Sequence, residues 1–211
     1  MKLLRVTTVI LFPPLLFLLV ILSFAFNLSF YQKQYDRIEV MQSIGRTDAV
    51  LQAAAVYDYL SGRKDQLIGA YTPREQLHLA DVRNIIFYIK LITLVLAVLF
   101  IAASLWLYFK SGIIGLIKAL LWSNIVSLII FLVLIVLFTL NFNWLFLVFH
   151  QVMFRNDFWQ LDPNTEMLIN LFPPQFFVAM ISRIFLVTII INIVIICLAL
   201  LAKQIKKNPA V

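Results

Sequence analysis

Charge and cysteine are both scarce in this chain. Only 13% of its 211 residues are charged, against about 25% in soluble domains, so the composition does not supply a water-facing globular surface. A single cysteine excludes an intrachain disulfide framework and any cysteine-based zinc cluster. Five glycines and seven prolines exclude a collagen-like or low-complexity chain. No internal repeat and no inverted hydropathy repeat of the transporter kind is visible. What is abundant is apolar side chain, 63% of the residues, with a mean hydropathy of +0.99. That is the composition of a polytopic membrane protein.

A helix needs roughly 20 apolar residues to cross a hydrocarbon core about 30 Å thick. Four stretches meet that requirement: Val6–Phe26, Ile85–Phe109, Ile117–Leu140 and Val178–Ala202. The first is longer than a signal-peptide core, and Asn27-Leu28-Ser29-Phe30 offers no small-residue cleavage site, so it reads as an uncleaved span. Pro13-Pro14 predicts a kink in it. Lys2, Arg5, Lys110, Lys118, Lys203, Lys206 and Lys207 occupy the chain ends, the short hairpin 110–116 and the span residue just after it, with no acid among them. The other ten basic residues are matched by ten acidic ones, so these seven account for the whole net charge of +7. The excess is therefore a positive-inside signal. It predicts a multi-pass plasma-membrane protein with both termini and the tail 203–211 in the cytoplasm, and it removes nucleic acid as the reason for the high pI.

Segments 27–84 and 141–177 then face outward. The first carries seven basic and seven acidic residues and the second is dense in aromatics. Neither is large enough for a comfortable core of its own, so both are expected to pack as a small extracellular cap on the outer ends of the spans. Thr47 or Asp48 is placed to cap a helix that Ser61-Gly62 ends. Thr72-Pro73-Arg74-Glu75 is a capping box with proline at the first helical position, and nothing after it breaks the helix before the second span. Trp144 to Phe154 reads as an interfacial helix, and Asp162-Pro163 predicts a further helix from Asn164 to Leu171, stopped by Phe172-Pro173-Pro174.

The two histidines, His78 and His150, both fall in these outer segments. Each has an ordinary alternative as an amphipathic side chain at a headgroup boundary. Their neighbours favour chemistry. His78 has Glu75 and Asp81 three positions to either side on a capped helix, and His150 precedes Arg155-Asn156-Asp157. An imidazole oriented by a carboxylate is suited to proton transfer near neutral pH, although the same spacing also makes a plain surface salt-bridge set. Both histidines with Asp81 and Asp157 would make a two-histidine, carboxylate metal site, but no HExxH helix accompanies them, so no metal is expected. No GxSxG elbow is present, and Cys197 sits towards the cytoplasmic end of the fourth span. Lys90 and Arg183 lie about a turn inside spans on the outer side. Lys90 reads as snorkelling, whereas Arg183, beside the aromatic segment, is read equally as snorkelling or functional.

Glu75-Gln76-Leu77-His78-Leu79-Ala80-Asp81-Val82-Arg83 resembles the E-x-x-H-L-x-D-V-[RK] signature of the bacterial lipoprotein intramolecular transacylase family. Phe149-His150-Gln151-Val152-Met153-Phe154-Arg155-Asn156-Asp157-Phe158-Trp159 resembles that family's F-H-x-x-x-F-x-N-D-x-W motif, and Asp162-Pro163, Leu168-Ile169 and Phe172-Pro173 agree with its continuation. The resemblance implies an all-α membrane protein, four transmembrane helices with a small extracellular helical cap. It implies transfer of the sn-2 acyl chain of a diacylated lipoprotein to the amino group of its own N-terminal cysteine, at the outer face of the membrane. His78 and His150 carry over as catalytic residues, and Asp81, Arg83, Asn156, Asp157 and Trp159 as supporting ones. Glu75, Phe154 and Arg183 join them as candidates for substrate binding. The implied partners are the lipoprotein and membrane lipids, with no cofactor, no nucleic acid and a monomer favoured. The rival readings are a non-enzymatic four-span accessory or pH-sensing protein and a metal-dependent membrane hydrolase.

Overall fold

The structure is a computed structural model that describes residues 2–36 and 45–207. Its described elements are α1 (Lys2–Ala25), α2 (Leu28–Tyr35), α3 (Arg46–Ser61), α4 (Pro73–Leu140), α5 (Phe142–Met153), α6 (Met167–Leu171) and α7 (Pro174–Lys207). α4 is two helices joined at Gly112, where φ is 63° and ψ is −174°. A positive φ suits glycine, which has no Cβ to clash. The first arm, 73–111, and the second, 113–140, therefore meet at one non-helical residue, and the seven-residue hairpin expected at 110–116 is helical on both sides of it. Among the described residues three helices, α1, α4 and α7, are long and apolar enough to cross a membrane, and the break at Gly112 divides the 68-residue α4 into its two arms.

The chain divides into two compact units. The spanning unit comprises Met1–Ile21, Leu91–Leu140 and Arg183–Val211. Phe12 of α1 meets Phe100 of the first arm at a ring-centroid distance of 5.6 Å, and Phe17 meets Phe131 of the second arm at 5.1 Å. The Ser123 hydroxyl of the second arm approaches the Thr8 carbonyl of α1, so contacts 8–123 and 17–131 advance together and these two helices run parallel. Leu94, Val98, Ile101, Leu105, Leu132, Val133 and Val136 are exposed, whereas Thr8, Ser123, Asn124, Ser127, Thr188 and Asn192 are fully buried. Apolar outside and polar inside is the arrangement expected where the surrounding solvent is hydrocarbon. α1 continues through Pro13 and Pro14 as one helix.

The second unit comprises Leu22–Lys90 and Asn141–Ser182. Segments 27–84 and 141–177 pool their apolar side chains in one core: Phe30, Tyr35, Ala49, Ala53, Val56, Tyr71 and Leu79 from the first, with Leu168, Leu171 and Phe176 from the second. α3 packs on both α2 and α6. Asn27 caps α2 by accepting from Phe30 N at 2.9 Å, and Asn141 caps α5 by accepting from Trp144 N at 3.0 Å. The latter cap starts α5 at Phe142, two residues before the expected start.

Two local expectations are corrected. α3 is capped by Gly45, at a φ of 77°, and not by Thr47 or Asp48. Asp48 instead lies in the first turn, where its charge favours the helix dipole. Asp162-Pro163 opens a turn over 163–165, not a helix from Asn164. Asp162 Oδ1 accepts from Asn164 N at 2.9 Å, Glu166 is held extended, and α6 begins only at Met167. The Gly62 cap of α3, in a left-handed conformation, is as the sequence indicates.

Candidate active site

The expected capping box forms, and its carboxylate does more than cap. Glu75 Oε2 accepts from Thr72 N at 2.6 Å, and Glu75 N donates to Thr72 Oγ1 at 3.3 Å. Glu75 Oε1 accepts from Leu168 N at 2.6 Å, a partner 93 positions away in the first turn of α6. Glu166 closes the knot: Oε2 accepts from Asp162 N at 2.6 Å and Oε1 accepts from Thr72 Oγ1 at 3.2 Å. Glu75 is fully buried and Glu166 nearly so. Both carboxylates are satisfied by N–H and O–H donors, the condition for burying such groups. The knot fixes the first turn of α4, and His78 follows three residues later.

His78 and His150 are both buried, at 8% and 9% exposure, and their ring centroids lie 6.3 Å apart. Phe154 packs on both, 4.9 Å from His78 and 5.5 Å from His150. Phe146, Phe149 and Trp159 complete the aromatic wall around His150, at 4.3, 5.3 and 5.1 Å. His150 Nδ1 lies 2.7 Å from the Phe146 carbonyl, which can only accept, so Nδ1 carries the hydrogen and Nε2 is the basic nitrogen of the neutral ring. His78 Nδ1 has no hydrogen-bond partner among the described residues.

Burial disfavours the charged form of both imidazoles. It pushes His78 down to about 4, helped by the charge that His150 would carry and opposed by Asp81. His150 is likewise lowered by burial, with the Phe146 bond pulling the other way. Both rings are therefore neutral at pH 7. Each has one N–H to donate and one lone pair to accept, so the pair can remove a proton from one group while polarising another.

The remaining expected residues divide sharply. Asp81 Oδ2 accepts from Asn156 Nδ2 at 2.9 Å, and Asn156 Oδ1 accepts from Phe158 N at 3.1 Å. Asn156 thereby holds the turn carrying Phe154 and Trp159 to the helix carrying His78, and Asp81 acts on His78 through its charge without a hydrogen bond. Asp157 is exposed, with Gln160 Nε2 donating to it at 3.3 Å. Arg83 reaches Asp65 Oδ1 at 3.2 Å and lies over the Tyr59 ring at 4.8 Å, away from the histidines. Lys90 Nζ stands 4.5 Å over the Phe26 ring. Arg183 is exposed and belongs to the other unit, as does the exposed Cys197. Among the described residues, no group of three or more His, Cys, Asp or Glu side chains is arranged to hold a metal ion.

Sequence reasoning missed Glu166 and Phe146. Glu166 was hidden by the expected helix over 164–171, in which it would have been one more solvated carboxylate. Phe146 lies four residues before His150, and that helical spacing is the signal that could have marked its carbonyl as the imidazole's partner.

Residues 6–177 match the family model described as lipoprotein intramolecular transacylase Lit. The fold is similar to that of the membrane-integral lipoprotein intramolecular transacylase Lit from Bacillus cereus, with a TM-score of 0.85 and 21% identity over 99% of this chain and 97% of that chain. A structure of the same enzyme with one histidine replaced by arginine gives 0.84 at 20% identity, covering 99% and 94% of the two chains. One with a histidine replaced by alanine gives 0.82 at 21%, covering 98% and 94%. No curated protein sequence matches the chain.

Proposed function

The chain belongs to the lipoprotein intramolecular transacylase family and is a membrane-integral acyltransferase. From that premise we propose that it moves the sn-2 acyl chain of a lipoprotein's diacylglyceryl group to the amino group of the N-terminal cysteine, with His150 as base and His78 as electrophilic partner. The observation that carries this reading is a pair of buried, neutral imidazoles with centroids 6.3 Å apart inside an aromatic wall.

An α-amino group has a pKa of about 7.7–8.0, so a usable fraction is already free near pH 7. The amine attacks the ester carbonyl. His150 Nε2 takes the proton that the nitrogen sheds, while Nδ1–H on the Phe146 carbonyl holds the ring in place. His78 donates a hydrogen bond from its neutral ring to the oxyanion, a role that does not require an imidazolium. The C–O bond then breaks and His150 returns its proton to the departing glyceryl oxygen. The products are an amide and a free sn-2 hydroxyl, with no net proton change and no acyl-enzyme.

Donor and acceptor share one molecule, which suits a site without a serine or cysteine nucleophile. Holding them together supplies effective molarities of roughly 10⁵–10⁸ M. Phe146, Phe149, Phe154 and Trp159 keep water from the ester, so aminolysis wins over hydrolysis. The charge distribution supports cytoplasmic termini and an outward-facing site. Expression in a strain that makes only diacyl lipoproteins, followed by mass spectrometry of lipoprotein N-termini, tests the reaction. The expected product is a lyso-form carrying one ester and one amide chain, and unchanged diacyl N-termini would sink the proposal.

A further inference from the structure

The spanning unit hides polar side chains that the acyl transfer does not use. Asn124, Ser127, Thr188 and Asn192 are all fully buried. Their mutual placement follows from helix register. Phe131 and Phe138, on the second arm of α4, meet Phe185 of α7 at 6.3 and 5.7 Å. Phe138 is near the last residue of that arm, and Phe185 is near the first residue that α7 contributes to the unit, Arg183. The rest of α7 belongs to the same compact unit, so it runs back along the arm, antiparallel to it. One turn along each helix from the Phe131–Phe185 contact lie Ser127 and Thr188. Two turns along lie Asn124 and Asn192, each seven residues from its phenylalanine and so on the same helix face.

The amides are already committed on one side. Asn124 Nδ2 donates to the Leu120 carbonyl at 2.7 Å, and Asn192 Nδ2 donates to the Thr188 carbonyl at 2.8 Å. What they leave over is acceptor. Asn124 Oδ1, Asn192 Oδ1, Ser127 Oγ and Thr188 Oγ1 have no hydrogen-bond partner among the described residues. Four such oxygens on two facing helices are costly to bury, and hydrocarbon offers them no relief from outside.

We propose that these four side chains form a binding site for water, one or two molecules held between the second arm of α4 and α7. The atom set selects that ligand. The Oδ1 atoms only accept, so the occupant must donate, and the two hydroxyls allow it to accept in return. Four polar partners match the two to four that a buried water uses. An anion finds only two hydroxyl donors beside two repelling oxygens, and an apolar occupant satisfies none of them. The bound water makes the directed interhelical bonds that the four side chains do not make to one another, and sets the register of α7 on the arm.

Radiolytic footprinting of the full-length protein in detergent, equilibrated in H₂¹⁸O, tests the site. Bound water reports as ¹⁸O incorporation at peptides 120–127 and 188–192 that persists after brief dilution into ordinary water. Labelling no higher than at the lipid-facing Leu132 and Val133 overturns the proposal. Asn124→Leu, Asn192→Leu and the double variant give a second readout. With water bridging the two helices, each single change lowers the unfolding midpoint by about 3–6 °C and the double change costs clearly less than the sum. Single changes that raise the midpoint additively mean dry, orphaned oxygens and overturn it. So does stabilisation by Na⁺ over choline at equal ionic strength, which assigns the oxygens to a cation.

Discussion

The two units solve the burial of polar groups in opposite ways. In the spanning unit the outer surface is apolar and the fully buried side chains include Thr8, Ser123, Asn124, Ser127, Thr188 and Asn192. None of these carries a charge. In the other unit the core is aromatic and aliphatic, yet it takes in two carboxylates and two imidazoles. Glu75 and Glu166 are stable there because the fold supplies them with donors, three backbone N–H groups and one hydroxyl. The imidazoles are stable there because burial keeps them neutral. Ionisable chemistry is thus confined to the unit whose irregular backbone has spare N–H groups to offer, and a regular helix bundle has none to give.

Breaking the imidazole pair should have the largest effect. His78→Ala and His150→Ala are each expected to reduce lyso-form production by about 10²–10⁴-fold while the unfolding midpoint moves little, read by N-terminal mass spectrometry beside a thermal melt. Conversion that survives both substitutions refutes the site. The same pair predicts an acid-side profile. Each histidine has a folded pKa below its unfolded value of about 6.5, so its share of stability is complete above pH 6.5. For His78 that share is lost as pH falls towards about 4, and for His150 it is lost through its own lowered value. Initial rates corrected for ionisation of the substrate amine should therefore show no step at pH 6.5. A midpoint at 6.5 would mean that the rings are solvated during turnover.

The carboxylate knot comes next. Glu75→Gln leaves a side chain with one acceptor where two N–H groups, of Thr72 and Leu168, now point. One buried donor left unmet costs about 1–3 kcal/mol, and a melt should show a lower midpoint. Asn156→Ala should cut turnover by roughly tenfold with a smaller stability change, because it frees Phe154 and Trp159 from the His78 helix; equal kcat in both proteins would show that Asp81 needs no such tie. Arg83→Ala is expected to change stability by less than about 1 kcal/mol, since its partner Asp65 is almost fully exposed. Chemical denaturation of the purified variant checks that smallest effect.

What the sequence disclosed tracks how local each interaction is. The spans are legible because hydrocarbon thickness demands a long apolar run. The Thr72–Glu75 box is legible because both partners lie within four residues, and Gly62 because its conformation is local. The bond from Leu168 N to Glu75 joins positions 93 apart, and no periodicity records it. The start of α6 was misplaced for the same reason, since its first turn takes a cap from another segment while Asp162 serves its own turn. The two histidines stand 72 positions apart, and no periodicity joins them; their shared place in the outer segments and the motif resemblance suggested that they meet.

The bond between His150 and Phe146 has a consequence for how the protein tolerates change. The acceptor is a main-chain carbonyl one turn back on the same helix, so every amino acid at position 146 presents it equally. The placement of the imidazole proton is thus insulated from point mutation at its own partner, unlike a triad that loses its tautomer when a carboxylate is replaced. Only an event that unwinds α5 reaches it. A ¹⁵N spectrum of the His150 ring therefore reports two things in one signal, which nitrogen is ready to accept a proton and whether the last turns of that helix are wound.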